Sequence, residues 1–154
     1  RPCKGGESKV SKFYLGIDIE SFETKGVLVD ETFQVVRTSS LKHTMENPAP
    51  NYFEHDAEAV WWHDFCEVAK TILHQQGITG EEIAGVGASV LGCDCLPVDQ
   101  NCKPLRKAIL YGIDARCQEE MEWLTRYYGP DGVLQRFGHP ICSGDVADKR
   151  LWVK

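Results

Sequence analysis

The 154-residue chain has no apolar run of about 18 residues, so no segment of it reads as a membrane-spanning helix. It has no basic excess either. Lys and Arg number 17 against 23 Asp and Glu, a formal net charge of −6, whereas a nucleic-acid partner needs a basic stripe to neutralise phosphates. The densest basic groups, Lys4 to Lys12 and Lys103 to Lys107, are short. The expected partners therefore include neither nucleic acid nor membrane. The polar stretch Arg1 to Lys12 lacks the apolar core of a signal peptide and reads as a flexible lead-in. Metal-type C-x2-C pairs are missing as well. The seven cysteines are odd in number, and the one tight group, Cys93, Cys95 and Cys102, has little His nearby. Reduced thiols in a cytoplasmic protein are the expected state, with a thiol or metal centre on those three as the alternative. No internal repeat, heptad or low-complexity segment is present.

What is present is a globular composition, 42% apolar and 26% charged, with alternating strand and helix signals. Phe13 to Ile19 is a short apolar run that reads as a buried strand. Val27 to Val29 and Phe33 to Val36 predict two more strands around a tight turn at Asp30–Thr32, a β-meander. After a loop over 42–55, Asp56 is a good N-cap for a helix carrying Trp61, Phe65, Val68, Ala69, Ile72 and Leu73 on one face and ending at Gly77. Ile83 to Val90 predicts a strand, and Cys95–Val98 with Ala108–Tyr111 a second hairpin. A second helix is expected from Asp114 to Gly129-Pro130, a short one around Val133 to Phe137, and a last one from Asp145. The fold class is mixed α/β, antiparallel strands first and then a helical crossover.

The chemistry-bearing candidate is Asp18, a carboxylate at a strand end, with Thr24-Lys25-Gly26 opening the next strand. Such a carboxylate can hold Mg²⁺ beside a phosphate while turn hydroxyls and N–H groups contact the phosphate oxygens, and an ordinary surface hairpin would look the same. The segments Tyr14–Ile19 and Lys25–Asp30 resemble the opening hairpin of the FGGY carbohydrate kinases, D-x-G-T-[ST]-[ST]-x-[KR]-[GA]. Four further blocks resemble that family in order: Tyr52–Asp56 with Trp61-Trp62, Ile83–Ser89, Pro104–Arg116, and Arg150–Lys154. Together they cover 13–154, with most likeness to the pentulose, xylulokinase-like branch.

The resemblance implies an actin-like, ribonuclease H-like mixed sheet flanked by helices. It implies two domains around a cleft, sugar bound in the first and ATP-Mg²⁺ mostly in the second, and transfer of the γ-phosphoryl group of ATP to a sugar hydroxyl, xylulose being one such sugar. Carried over, Asp18 is the carboxylate near metal and phosphates, Lys25 the cation facing the transferring phosphate, and Ser21 and Thr24 turn hydroxyls. Substrate contacts fall on Leu91, Gly92, Cys93 and Asp94, where many relatives have Q-M-H-G, and on Tyr111 and Asp114, although Asp114 could equally cap a helix. His55 reads as a loop histidine, and Trp61 and Trp62 as core and rim.

The hairpin departs from the family pattern. Glu20 replaces glycine, and Phe22 and Glu23 replace small hydroxyl residues. Two readings stand: the added negative charge impairs phosphate binding, or the carboxylates point away or help hold Mg²⁺. The family's general-base aspartate and second domain lie beyond Lys154. The expectation is an N-terminal portion of the first domain, inactive alone and exposing apolar sheet surface, with a catalytically inactive sugar-binding or regulatory module as the alternative and homodimerisation of the full-length protein left open.

Overall fold

The computed structural model describes residues 12–154; the lead-in expected over 1–12 lies almost wholly outside them. The element order is β1 (Phe13–Ile19), β2 (Glu23–Val29), β3 (Val35–Lys42), β4 (Glu54–His55), a π-helical turn Ala57–Trp62 running into α1 (His63–Gln76), β5 (Ile83–Val90), β6 (Ala108–Ile109), α2 (Gln118–Phe137) and α3 (Ala147–Val153). One sheet has the order β3-β2-β1-β5. β1 pairs antiparallel with β2 and parallel with β5, the latter reached through α1.

Strand alternation sets the two faces of this sheet. Leu15, Ile17 and Ile19 of β1 and Leu28 of β2 are buried against Val68 and Ile72 of α1. The strands approach α1 closely at Gly26. A Cβ there would come within 2.4 Å of Val68 Cγ1 and 2.8 Å of Ile72 Cδ1. The opposite face is open, with Tyr14 37% exposed, and on the α1 face β5 stays uncovered, Val86 57% and Val90 61% exposed beside Leu15 and Ile19.

Several boundaries differ from the sequence reading. β3 starts at Val35 rather than Phe33, because Asp30 Oδ1 accepts from Thr32 N, Thr32 Oγ1 and Gln34 N and extends the turn, with Phe33 at φ 62°. Asp56 does cap its helix, accepting from Glu58 N and Ala59 N, and Gly77 ends α1 at φ 64°. Ala108–Ile109 pairs chiefly with Glu54–His55 inside the expected loop, and meets the Cys95 segment only by an isolated bridge at Ile109. α2 starts at Gln118, four residues after Asp114. Its expected stop is a kink at Gly129 (φ 69°, ψ 161°), beyond which the short helix around Val133 follows.

Arg116 organises this second half. Its guanidinium donates to both Asp114 oxygens and to Glu54 Oε1, and lies 4.1 Å over the Tyr52 ring. Lys149 of α3, wholly buried, donates to the carbonyls of Ser143 and Asp145 at 2.6 Å each and fastens the loop before the helix.

Gly26→Ala is expected to lose about 1–3 kcal/mol of stability in chemical denaturation of the full-length protein, the usual cost of overpacking, because Val68 and Ile72 must both give way. Unchanged stability would show that α1 does not rest on β2 this closely.

Candidate active site

Strand alternation that buries Thr24 and Leu28 turns Glu23 and Lys25 to the open face. There Asp18, Glu23, Lys25, Ser40 and Ser89 line a groove of about 870 Å³ on the sheet. β1 and β5 run parallel with Asp18 opposite Ser89, so the C-terminal ends of both strands reach the groove together. Open parallel sheets commonly bind ligands at this end.

The Asp18 carboxylate accepts no hydrogen bond within the described residues, which leaves hard oxygen ligands free for a cation such as Mg²⁺. Lys25 is not free. Its Nζ donates to Glu20 Oε1 at 2.8 Å and lies 3.9 Å from Glu23 Oε2. The hydrogen bond to Glu20 holds the Lys25 ammonium above its usual range. The loop carboxylates thus meet the lysine that would face a phosphate. Glu20 neither points away nor joins Asp18.

Two expected site residues are corrected. Thr24 is wholly buried, and its hydroxyl donates to Asp64 Oδ2 at 3.4 Å on the α1 face, so it does not line the groove. It belongs to β2 and not to the turn, and its register points it inward. Asp114 is 2% exposed, and its oxygens accept from Phe53 N and Arg116, which leaves them no capacity for a sugar. Ser21 sits in the turn itself, between β1 and β2.

The remaining substrate candidates form a second locality. Leu91, Gly92 and Cys93 follow β5, with Gly92 and Cys93 exposed and Cys93 at φ 63°. Asp94 Oδ1 accepts from Tyr111 N at 2.7 Å, which joins two residues 17 apart, and the Tyr111 side chain is exposed. None of these lines the groove. Asp94 Oδ2 is buried without a partner, and burial raises the carboxyl to about 6. The cysteine group does not form a metal set. Among the described residues the converging donors are instead His139, Cys142 and Asp145. Burial raises the thiols of Cys95 and of Cys117, the latter to about 12, so both stay protonated.

Sequence reasoning missed Asp64. This carboxylate, 4% exposed near the start of α1, accepts from His43 Nδ1 at 2.7 Å and His63 Nδ1 at 3.0 Å as well as from Thr24. Its partners lie up to 40 residues away, so no local spacing signals it.

A mixed sheet of order β3-β2-β1-β5, antiparallel at first and parallel after the α1 crossover, is of the actin-like, ribonuclease H-like class. Residues 13–154 match the N-terminal domain of the FGGY family of carbohydrate kinases, and the chain belongs to that family. It is 28% identical over 142 residues to the xylulose kinase of Staphylococcus xylosus, spanning 92% of this chain and 29% of that protein. It is 31% identical over 148 residues to the glycerol kinase of Trichormus variabilis, spanning 96% and 29%. The structure of a xyloylose kinase from Brucella ovis superposes with a TM-score of 0.80 at 24% identity, over 92% of this chain and 29% of that one, a likeness of fold. The chain therefore spans less than a third of the length of the curated relatives it matches.

The raised Asp94 carboxyl sets a pH dependence. Between the unfolded value near 3.8 and about 6 the folded state binds the extra proton, so stability falls as pH rises through that window. Asp94→Asn, which keeps the acceptor for Tyr111 N, is expected to raise the thermal midpoint at pH 7 and to leave it unchanged near pH 3.5. An equal effect at both pH values would show that Asp94 is not a buried carboxylate.

Proposed function

We propose that this chain is the N-terminal portion of an ATP-dependent carbohydrate kinase that moves the γ-phosphoryl group of ATP to a sugar hydroxyl, with a pentulose such as xylulose as the preferred acceptor. The observation that carries the proposal is the pairing of family membership over 13–154 with an open groove in which Asp18 and Lys25 face one another across neighbouring strands. The finer choice of a pentulose rests on the xylulose kinases among its relatives.

In this reading Asp18 would hold the Mg²⁺ that accompanies ATP, which when bound would supply neutralisation of the phosphate charge. Lys25 meets the transferring phosphoryl group as a point charge, and Ser21 offers a hydroxyl from the turn. Asp94 and Tyr111 contribute to the sugar side, past the end of β5. Glu23 lines the groove beside Asp18 but lies 3.9 Å from the Lys25 ammonium, and in this reading the base that takes the proton of the sugar hydroxyl belongs to the rest of the kinase. The reaction belongs to the whole protein.

One contact favours a second reading, a sugar-binding or regulatory member of low kinase activity. Lys25 is already paired with Glu20, and an incoming phosphate must displace that carboxylate.

A coupled assay of the full-length protein with ATP-Mg²⁺ over ketoses and polyols tests the first reading. Turnover of a pentulose is expected. Sugar binding without turnover on any acceptor would overturn it in favour of the second. Glu20→Gly is expected to lower KM for ATP a few-fold by freeing Lys25; an unchanged KM would show that the pair does not compete with phosphate.

A further inference from the structure

The turn from Glu20 to Glu23 contains no glycine, yet it is held tightly. Two histidines from distant segments reach it from the α1 side. His43, just past β3, places Nε2 at 2.9 Å from the Glu20 carbonyl and Nδ1 at 2.7 Å from Asp64 Oδ2. The two ring nitrogens of His43 thus bridge the Glu20 carbonyl and the Asp64 carboxylate. His55, wholly buried in β4, accepts from Trp61 Nε1 at its Nδ1. Trp61 can only donate, so the His55 proton sits on Nε2. That nitrogen makes no well-formed hydrogen bond; the group it faces is the Ser21 backbone. Burial and the neighbouring His43 both lower the His55 pKa, which keeps the His55 ring neutral. The two rings meet edge to face at 5.1 Å. The His43 backbone N–H also donates to the Phe22 carbonyl at 3.0 Å.

Planar trans peptides convert this into a direction. Where a carbonyl is drawn toward α1, the N–H of the same peptide points the other way. The Ser21 N–H is opposed to the Glu20 carbonyl, and the Phe22 N–H to the Ser21 carbonyl. Neither amide donates to any group within the described residues. The side away from α1 is the side on which Asp18, Glu23 and Lys25 line the groove. Thr24, one residue along, confirms the division by pointing inward to Asp64.

We propose that His43 is a positioning residue for phosphate recognition: by holding the Glu20 carbonyl toward α1, with the His55 ring packed edge to face against its own, it presents the Ser21 amide to an anionic oxygen of the ATP phosphates. The proposal rests on the kinase reading for the identity of that anion, and on the hydrogen bonds alone for the turn. It accounts for a turn that keeps a defined backbone with bulky residues where glycine would otherwise be expected. It also ties the turn to the start of α1, because His43 and His63 share Asp64.

Two substitutions at one position separate the contacts. His43→Asn keeps a donor at the place of Nδ1 for Asp64 and loses the reach to Glu20. His43→Gln keeps a donor at the place of Nε2 for the Glu20 carbonyl. Hydrogen–deuterium exchange of the full-length protein reads the turn directly, and steady-state kinetics read its use. In His43→Asn, exchange across residues 20–23 is expected to rise about tenfold, the scale of one hydrogen bond. KM for ATP should rise by a similar factor, with KM for the sugar and the thermal midpoint little changed. His43→Gln should recover most of both effects. Should either variant fail to fold, Trp61→Phe, which removes the hydrogen bond that orients the His55 ring against His43, is expected to loosen the same segment. Uniform loss of stability with no local exchange, or both KM values unchanged while the turn loosens, would overturn the proposal. Absence of turnover in the wild-type protein alongside the predicted exchange pattern would instead remove the kinase reading and leave the anchoring intact.

Discussion

The buried carboxylate of Asp64 is the constraint on which the first half of the molecule depends. A carboxylate held out of water costs several kcal/mol unless donors surround it. Here three donors converge, from β2 (Thr24), from the end of β3 (His43) and from α1 itself (His63). Meeting them simultaneously sets the position of the helix along the sheet, and the Gly26 contact with Val68 and Ile72 sets its height. The apolar core of β1, β2 and α1 supplies the cohesion, but any slip along the sheet would leave the charge unpaired. The hairpin carrying Asp18 and Lys25 inherits its placement from this junction.

The second half is organised in the same way around the opposite charge. The Arg116 side chain is 1% exposed, and it is matched by Asp114 and Glu54, with Arg106 adding a second cation to Glu54. Two aromatic rings, Tyr52 and Trp152, cover the guanidinium planes. The cluster connects β4, the segment before α2 and α3, which lie far apart in sequence. It explains why Asp114, in a segment that resembles a family motif, serves the fold and not the ligand. A motif can mark a scaffold constraint as readily as a binding contact.

What could be read from the sequence was local. The period-two burial of β1, the Asp56 cap, and the glycines at 77 and 129 all rest on residues within a few positions of one another. The ordered motifs gave the family, and with it Asp18 and Lys25 on neighbouring strands. The failures were non-local or a matter of register. Thr24 counted as a turn hydroxyl, but one residue of strand register faces it inward. The Asp30 side chain bonds extended the turn past Phe33. His43 and Asp64 lie 21 residues apart with no spacing that implies contact. The charge problem at Glu20 was visible as composition, whereas its resolution, a pair with Lys25, required geometry.

The buried contact between His43 and Asp64, continued by His43 to the Glu20 carbonyl, anchors the turn. Long-range nitrogen–proton NMR of the full-length protein, labelled at histidine, tests it directly at pH 7. The prediction is that the His43 ring carries a slowly exchanging, hydrogen-bonded proton, while His55 carries its proton on Nε2. A His43 ring whose protons exchange as fast as in an unstructured peptide would contradict the account, because neither Asp64 nor the Glu20 carbonyl would then hold it.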